Sequence, residues 1–166
     1  MGKQIALIES ENKDIIDAVK KYFGGKCRIV HKDSDLSGYK LIVLTGYDTE
    51  FRAETDAKIL NLHPSLLPAF ACENALSRAF LSGVRVSGIT IHEVVSGNFY
   101  GKILAQYPVL IGLTAHFDEF AADISAAAKK LYPPVIDAVI NDKVFDFTDL
   151  FRHPCQRSCS RCSRSL

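Results

Sequence analysis

No stretch of this sequence approaches the roughly 20 consecutive apolar residues needed to cross a bilayer. The start, Met1-Gly2-Lys3-Gln4-Ile5, lacks the apolar run and small-residue cleavage site of a secretory signal. No membrane association is therefore expected, and the cytoplasm is the expected location. An excess of positive charge is also missing, since the formal net charge is +1. The last sixteen residues hold Arg152, Arg157, Arg161 and Arg164 and no acid; removing those four from 20 basic residues leaves 16 against 19 acidic ones. A body of about −3 has no basic footprint for nucleic acid, so none is expected there. A disulfide framework is absent as well. Cys27 sits in an apolar segment, Cys72 near a helix start, and the other three cysteines crowd the end, a distribution that in a reducing compartment does not staple a fold. There is no internal repeat and no low-complexity segment in the body.

What is present is an ordinary globular composition, 48% hydrophobic and 23% charged over 166 residues, enough for one domain with a respectable core. Residues 1–150 read as that domain and 151–166 as a basic, cysteine-rich tail. Residues 4–8 form a short apolar run bounded by turn formers, the pattern of a buried strand. Asp14 to Phe23 has Ile15, Ile16, Val19, Tyr22 and Phe23 on one helical face, with Asn12 as cap and Gly24-Gly25 as stop. Residues 27–30 and 41–44 read as strands, the second apolar on both faces as in a central parallel strand. A short helix is expected over 50–58, a strand over 59–63 stopped by Pro64, and a helix over 71–81. Two β-branched segments, 87–95 and 102–109, flank a turn-rich loop. A long amphipathic helix is expected over 118–141 with a kink at Pro133-Pro134, and an edge strand over 144–147. Strands alternating with helices imply an α/β fold with an open, mostly parallel sheet, whose ligands sit at the carboxyl ends of the strands. That points to residues 9–12, 45–50 and 61–68.

The last of these holds the strongest chemistry. Asn61 and His63 are two apart on a strand and so project to one face. An amide there can donate to an oxygen becoming an oxyanion, and an imidazole can take or give a proton near neutral pH. The alternative is a strand end with two hydrogen-bonded polar residues.

Asn61-Leu62-His63-Pro64-Ser65-Leu66-Leu67-Pro68 resembles the signature of the folate-dependent formyltransferases, most closely their glycinamide ribonucleotide branch. Leu44-Thr45-Gly46-Tyr47, Gly83, Gly88 to His92, Gly101 and Gln106 to Val109 follow at that family's spacing. The resemblance covers residues 40–110 well. It implies a Rossmann-like open sheet flanked by helices, 10-formyltetrahydrofolate as co-substrate, and a small-molecule amine as acceptor, chemistry of the purine-biosynthetic kind. It further implies that Asn61 stabilises the oxyanion and His63 manages the proton, with Thr90 and His92 behind them. Gly46, Tyr47, Ser96, Gly97, Asn98 and Phe99 would line the folate pocket.

The sequence departs from the family in three places. The family's catalytic Asp corresponds to Phe99, and the loop 96–100 contains no acid; Asp48, after the third strand, is the candidate substitute. The phosphate-cradling first loop is shortened to Glu9-Ser10-Glu11-Asn12-Lys13, where carboxylates would repel a phosphate. The segment between Gly46 and Asn61 is shortened too. Three readings follow: a formyltransferase, a descendant that binds a ligand or partner without chemistry, and a deformylating hydrolase with water as acceptor. In the tail, Cys155, Cys159 and Cys162 with His153 have spacing that suits zinc or an iron–sulfur site, against the plainer reading of a basic tail with incidental cysteines. The sequence sets no oligomeric state.

Overall fold

The computed structural model describes residues 4–46, 51, 55–95 and 101–146. Its elements are β1 (Ile5–Ile8), α1 (Lys13–Phe23), β2 (Cys27–Val30), β3 (Leu41–Leu44), β4 (Lys58–His63), α2 (Ala75–Leu81), β5 (Val86–Glu93), β6 (Ile103–Leu110) and α3 (Phe117–Ile140). They build one six-stranded sheet in the order β2-β1-β3-β4-β5-β6. The first four strands run parallel; β5 and β6 pair antiparallel onto that half. β1 and β3 are apolar at every position and buried at every position, as strands covered on both faces must be.

The two faces are covered differently. On one, Ile5, Leu7, Leu41, Val43, Leu60, Leu62, Ile89 and Ile91 meet Ile15, Ile16 and Val19 of α1 and the apolar stripe of α3. Leu76 and Phe80 of α2 pack on the same side, where Phe80 stacks on Phe120 with ring centroids 6.0 Å apart. On the other face, Ala6, Ile8, Ile42 and Leu44 are covered by Leu36, Tyr39 and Phe51 from connecting segments. Tyr132, fully buried, crosses from α3 to donate to the Leu44 carbonyl at 2.6 Å, with the Leu60 carbonyl 3.3 Å from the same hydroxyl, tying the helix to two adjacent strands.

Several expectations from the sequence need correction. Residues 55–57 are not helical and Lys58 already opens β4, so the short helix expected over 50–58 does not reach its end; residues 50 and 52–54 lie outside the described set. The helix expected from Ala71 begins at Ala75, because Phe70 and Asn74 take left-handed conformations (φ 54° and 56°) that a right-handed helix cannot contain. Residues 144–146 form no strand: Val144 is 97% exposed while Phe145 turns back onto the core. Helix α3 continues through Pro133 and Pro134. The carbonyls their missing N–H groups release belong to Lys129 and Lys130, both exposed, where water can take the bonds. Among the described residues no helix is long and apolar enough to cross a membrane.

Candidate active site

Leu44 pairs with Asn61, so the face that carries Ala6, Ile8, Ile42 and Leu44 continues onto Asn61 and His63. Their partners across the β4–β5 ladder are His92 and Thr90. Cross-strand partners share a face, and the apolar side of the sheet thus turns polar where it reaches β5. All four side chains are fully buried. Burial of this kind demands hydrogen bonds, and the bonds fix the chemistry.

His92 Nδ1 lies 3.0 Å from the carbonyl of Glu93, which only accepts, so Nδ1 carries the proton. Nε2 is then an acceptor, and Asn61 Nδ2 donates to it at 3.2 Å. Asn61 Oδ1 in turn accepts from the Gly46 N–H at 3.3 Å. A single chain of bonds therefore sets the His92 tautomer and the amide orientation together. One Nδ2 hydrogen is spent on His92; the second is left for an incoming oxygen. His63 Nε2 faces the Phe70 carbonyl at 3.0 Å and donates to it, which makes Nδ1 the basic nitrogen.

Burial holds the His63 imidazole below its ordinary 6.5, with the Phe70 carbonyl pulling the other way. His92 is lowered chiefly by burial, opposed by the Glu93 carbonyl, and lowered further by the charge His63 would carry. Both rings are thus neutral bases at neutral pH. The unfolded chain, with histidines near 6.5, binds more protons than the folded one below that pH, so stability is full above it and falls as acid reaches the lowered values. We expect the urea midpoint to drop between pH 7.5 and 5.0, at up to about 1.4 kcal/mol per pH unit for each histidine. Removing one ring as His92→Gln should shrink that slope; a flat midpoint would show both rings titrating as in water.

The segment after Pro64 folds over this polar face. Thr90 Oγ1 donates to the Ser65 carbonyl (2.7 Å) and accepts from the Leu67 N–H (3.0 Å) and from Gln106 Nε2 (3.0 Å). Gln106 also reaches the Leu67 carbonyl at 2.9 Å, and Ser65 Oγ donates to the Ala69 carbonyl at 2.6 Å. The Leu67–Pro68 peptide is cis. Gln106 was legible only as part of a strand; its place opposite Thr90 in the β5–β6 register gives it this role. Ser10, Asn12 and Thr45 fall in segments singled out from the sequence, but their contacts with one another were not legible there. Ser10 Oγ meets Thr45 Oγ1 at 2.5 Å and Asn12 Nδ2 donates to the Thr45 carbonyl, latching the β1–α1 connection to the end of β3.

A cavity of about 310 Å³ opens at the carboxyl ends of β1, β3 and β4. Thr45, Gly46 and Pro64 line it beside the strand ends, Glu11 to Ile15 at the start of α1, and Ile124, Ser125 and Ala128 on α3. It thus reaches all three segments expected from strand topology. A larger cavity of about 580 Å³ lies at the opposite, amino ends of β3 and β4, lined by Lys40, Asp56 and Lys58. It is remote from the polar quartet.

Of the residues singled out in the sequence, the structure brings together Asn61, His63, Thr90, His92 and Gly46. Tyr47, Asp48, Ser96, Gly97, Asn98 and Phe99 lie outside the described residues, as do His153, Cys155, Cys159 and Cys162. Among the described residues no group of metal-ligating side chains is found. Cys27 is free and buried, its thiol pushed up to about 11 by that burial, which leaves it unreactive.

The chain is similar to several known proteins. Phosphoribosylglycinamide formyltransferase of Bacillus subtilis (strain 168) is 40% identical over 106 residues, covering 61% of this chain and 54% of the relative. The chloroplastic phosphoribosylglycinamide formyltransferase of Arabidopsis thaliana is 30% identical over 140 residues, covering 79% and 43%. The chain thus spans about half the length of these curated relatives. In fold it matches the phosphoribosylglycinamide formyltransferase of Anaplasma phagocytophilum with a TM-score of 0.71 at 21% identity, over 86% of this chain and 88% of that one. The sequence profile described as "Formyl transferase" matches residues 32–136, which include the whole quartet and the loop above it. This chain belongs to the formyl transferase family.

Proposed function

We propose that the protein transfers a formyl group from 10-formyltetrahydrofolate to a primary amine, with Asn61 and His63 as the catalytic residues. The observation that carries this reading is the bond chain from Glu93 through His92 to Asn61. It holds one amide hydrogen of Asn61 free in a buried site, two residues from a neutral imidazole on the same strand face.

In the reaction the amine nitrogen attacks the formyl carbon and the carbonyl oxygen gains negative charge. A donor already aimed at that oxygen needs no reorganisation as the charge develops. His63, kept neutral by burial, accepts the proton that the amine must lose. Collapse of the intermediate breaks the bond from the formyl carbon to N10 of the folate, and that nitrogen takes up a proton. The products are a formamide and tetrahydrofolate. Asn61 and His63 have no solvent exposure, so substrates enter only when the cover over this face opens. The family resemblance assigns a carboxylate to the position of Phe99. We infer that Asp48, two residues beyond the glycine that holds Asn61, supplies it.

The test is direct. Purified protein is mixed with 10-formyltetrahydrofolate and a panel of primary amines, and tetrahydrofolate release is followed by absorbance. Amine-dependent release is the expected result. Release of formate without amine would mark a hydrolase, and no turnover with any amine would sink the catalytic reading in favour of a binding protein.

A further inference from the structure

We propose that the acceptor is an amine without a phosphate group. The inference rests on the formyl-transfer reading, because the 310 Å³ cavity is taken as the acceptor's side of that site; Gly46, which lines it, holds the Asn61 amide, and Pro64 follows His63.

A phosphate at a helix start needs free backbone N–H groups, and preferably surplus positive charge. Among the described residues the start of α1 offers few of the first and no surplus of the second. The Asn12 N–H is taken by Ser10 Oγ at 3.2 Å and the Lys13 N–H by the Glu11 carbonyl at 2.8 Å. The N–H groups of Ile15 and Ile16 both go to the Asn12 carbonyl, each at 3.1 Å. Four of the five amides from Asn12 to Ile16 are therefore already satisfied within the chain. The Asn12 side chain, which could turn outward to an anion, is spent on the Thr45 carbonyl.

Charge agrees. Among the described residues the ionised side chains on the cavity are Glu11, Lys13 and Asp14. Asp14 lies 3.7 Å from Lys129 of α3, and the formal charges of Glu11 and Lys13 sum to zero. A phosphate would bring about −1.5 to −2 charges into a mouth that has no surplus cation among the described residues. The facing wall, Ile124, Ser125 and Ala128, adds none. The cavity is at the small end of the roughly 300–1,000 Å³ range of ligand sites, and its floor is mostly apolar. A compact amine with an uncharged or cationic body fits it. The family match begins at residue 32, so it does not extend to the start of α1.

The test compares glycinamide riboside with its 5′-phosphate by NMR titration of the full chain at pH 7.5, without folate. The riboside should bind about tenfold or more tightly than the phosphate. Glu11→Lys, which leaves a surplus of positive charge at the mouth, should narrow or reverse that preference. Equal binding, tighter binding of the phosphate, or no response of the α1 amides to either probe would overturn the proposal. The two readings fail separately. A riboside preference without formyl transfer would leave the acceptor class standing and remove the reaction, whereas preferential formylation of the phosphate would do the opposite.

Discussion

Asn61→Asp should cut formyl transfer by about 10²–10³-fold, the loss expected when one oxyanion donor is removed, and should reverse the titration of His92. The substitution is isosteric. One carboxylate oxygen can still accept from the Gly46 N–H, but the other cannot donate to His92 Nε2 as the amide does. The pair is satisfied only if His92 takes a proton and donates in its turn. His92, which in the native protein is lowered from 6.5 chiefly by burial, should then titrate above that value, because an opposite charge in hydrogen-bond contact favours the imidazolium. The Cε1–H resonance of His92 reports this directly. Native-like transfer would remove Asn61 from the mechanism. An unchanged His92 titration would show that the group at position 61 does not govern the protonation of that ring.

Thr90→Val should lower stability by about 2–4 kcal/mol, because it strips three hydrogen bonds from one hydroxyl and leaves the Leu67 N–H and Ser65 carbonyl buried without a replacement. For a chain of this size that corresponds to a fall in melting temperature of roughly 6–12 °C. Thr90→Ser keeps the hydroxyl and loses only a methyl group, so it should fall by less than half as much. A Val variant within about 0.5 kcal/mol of the native protein would show that the loop over the polar face is held by other means.

The contrast between these two residues shows what was readable in the sequence. Asn61 and His63 could be paired from strand periodicity alone, since alternation puts residues two apart on one face. The parallel half of the sheet was legible for a similar reason, because β1 and β3 are apolar at every position. The polar quartet was not legible from spacing: Thr90 and His92 lie roughly thirty residues from their partners, and only the antiparallel register brings them opposite His63 and Asn61. The family resemblance supplied what periodicity could not. Gln106 belongs to the segment that carries the resemblance, but its contact with Thr90 and Leu67 was not legible, since it depends on which strand lies at the sheet edge. The errors in secondary structure fall where local pattern lost to tertiary demand. Residues 71–74 have ordinary helical composition, yet the loop that closes over His63 needs left-handed turns at Phe70 and Asn74.

Helices occupy one side of the sheet and connecting segments cover the other, with the buried polar quartet on the latter side. The large apolar contacts that decide whether the chain folds therefore share few atoms with the polar quartet. Within such an architecture, changes among residues 64–72 can alter the surroundings of Asn61 and His63 while the packing of Leu131 and Tyr132 stays intact. Sequence divergence among relatives should accordingly be greater over the loop-covered side than beneath α1 and α3.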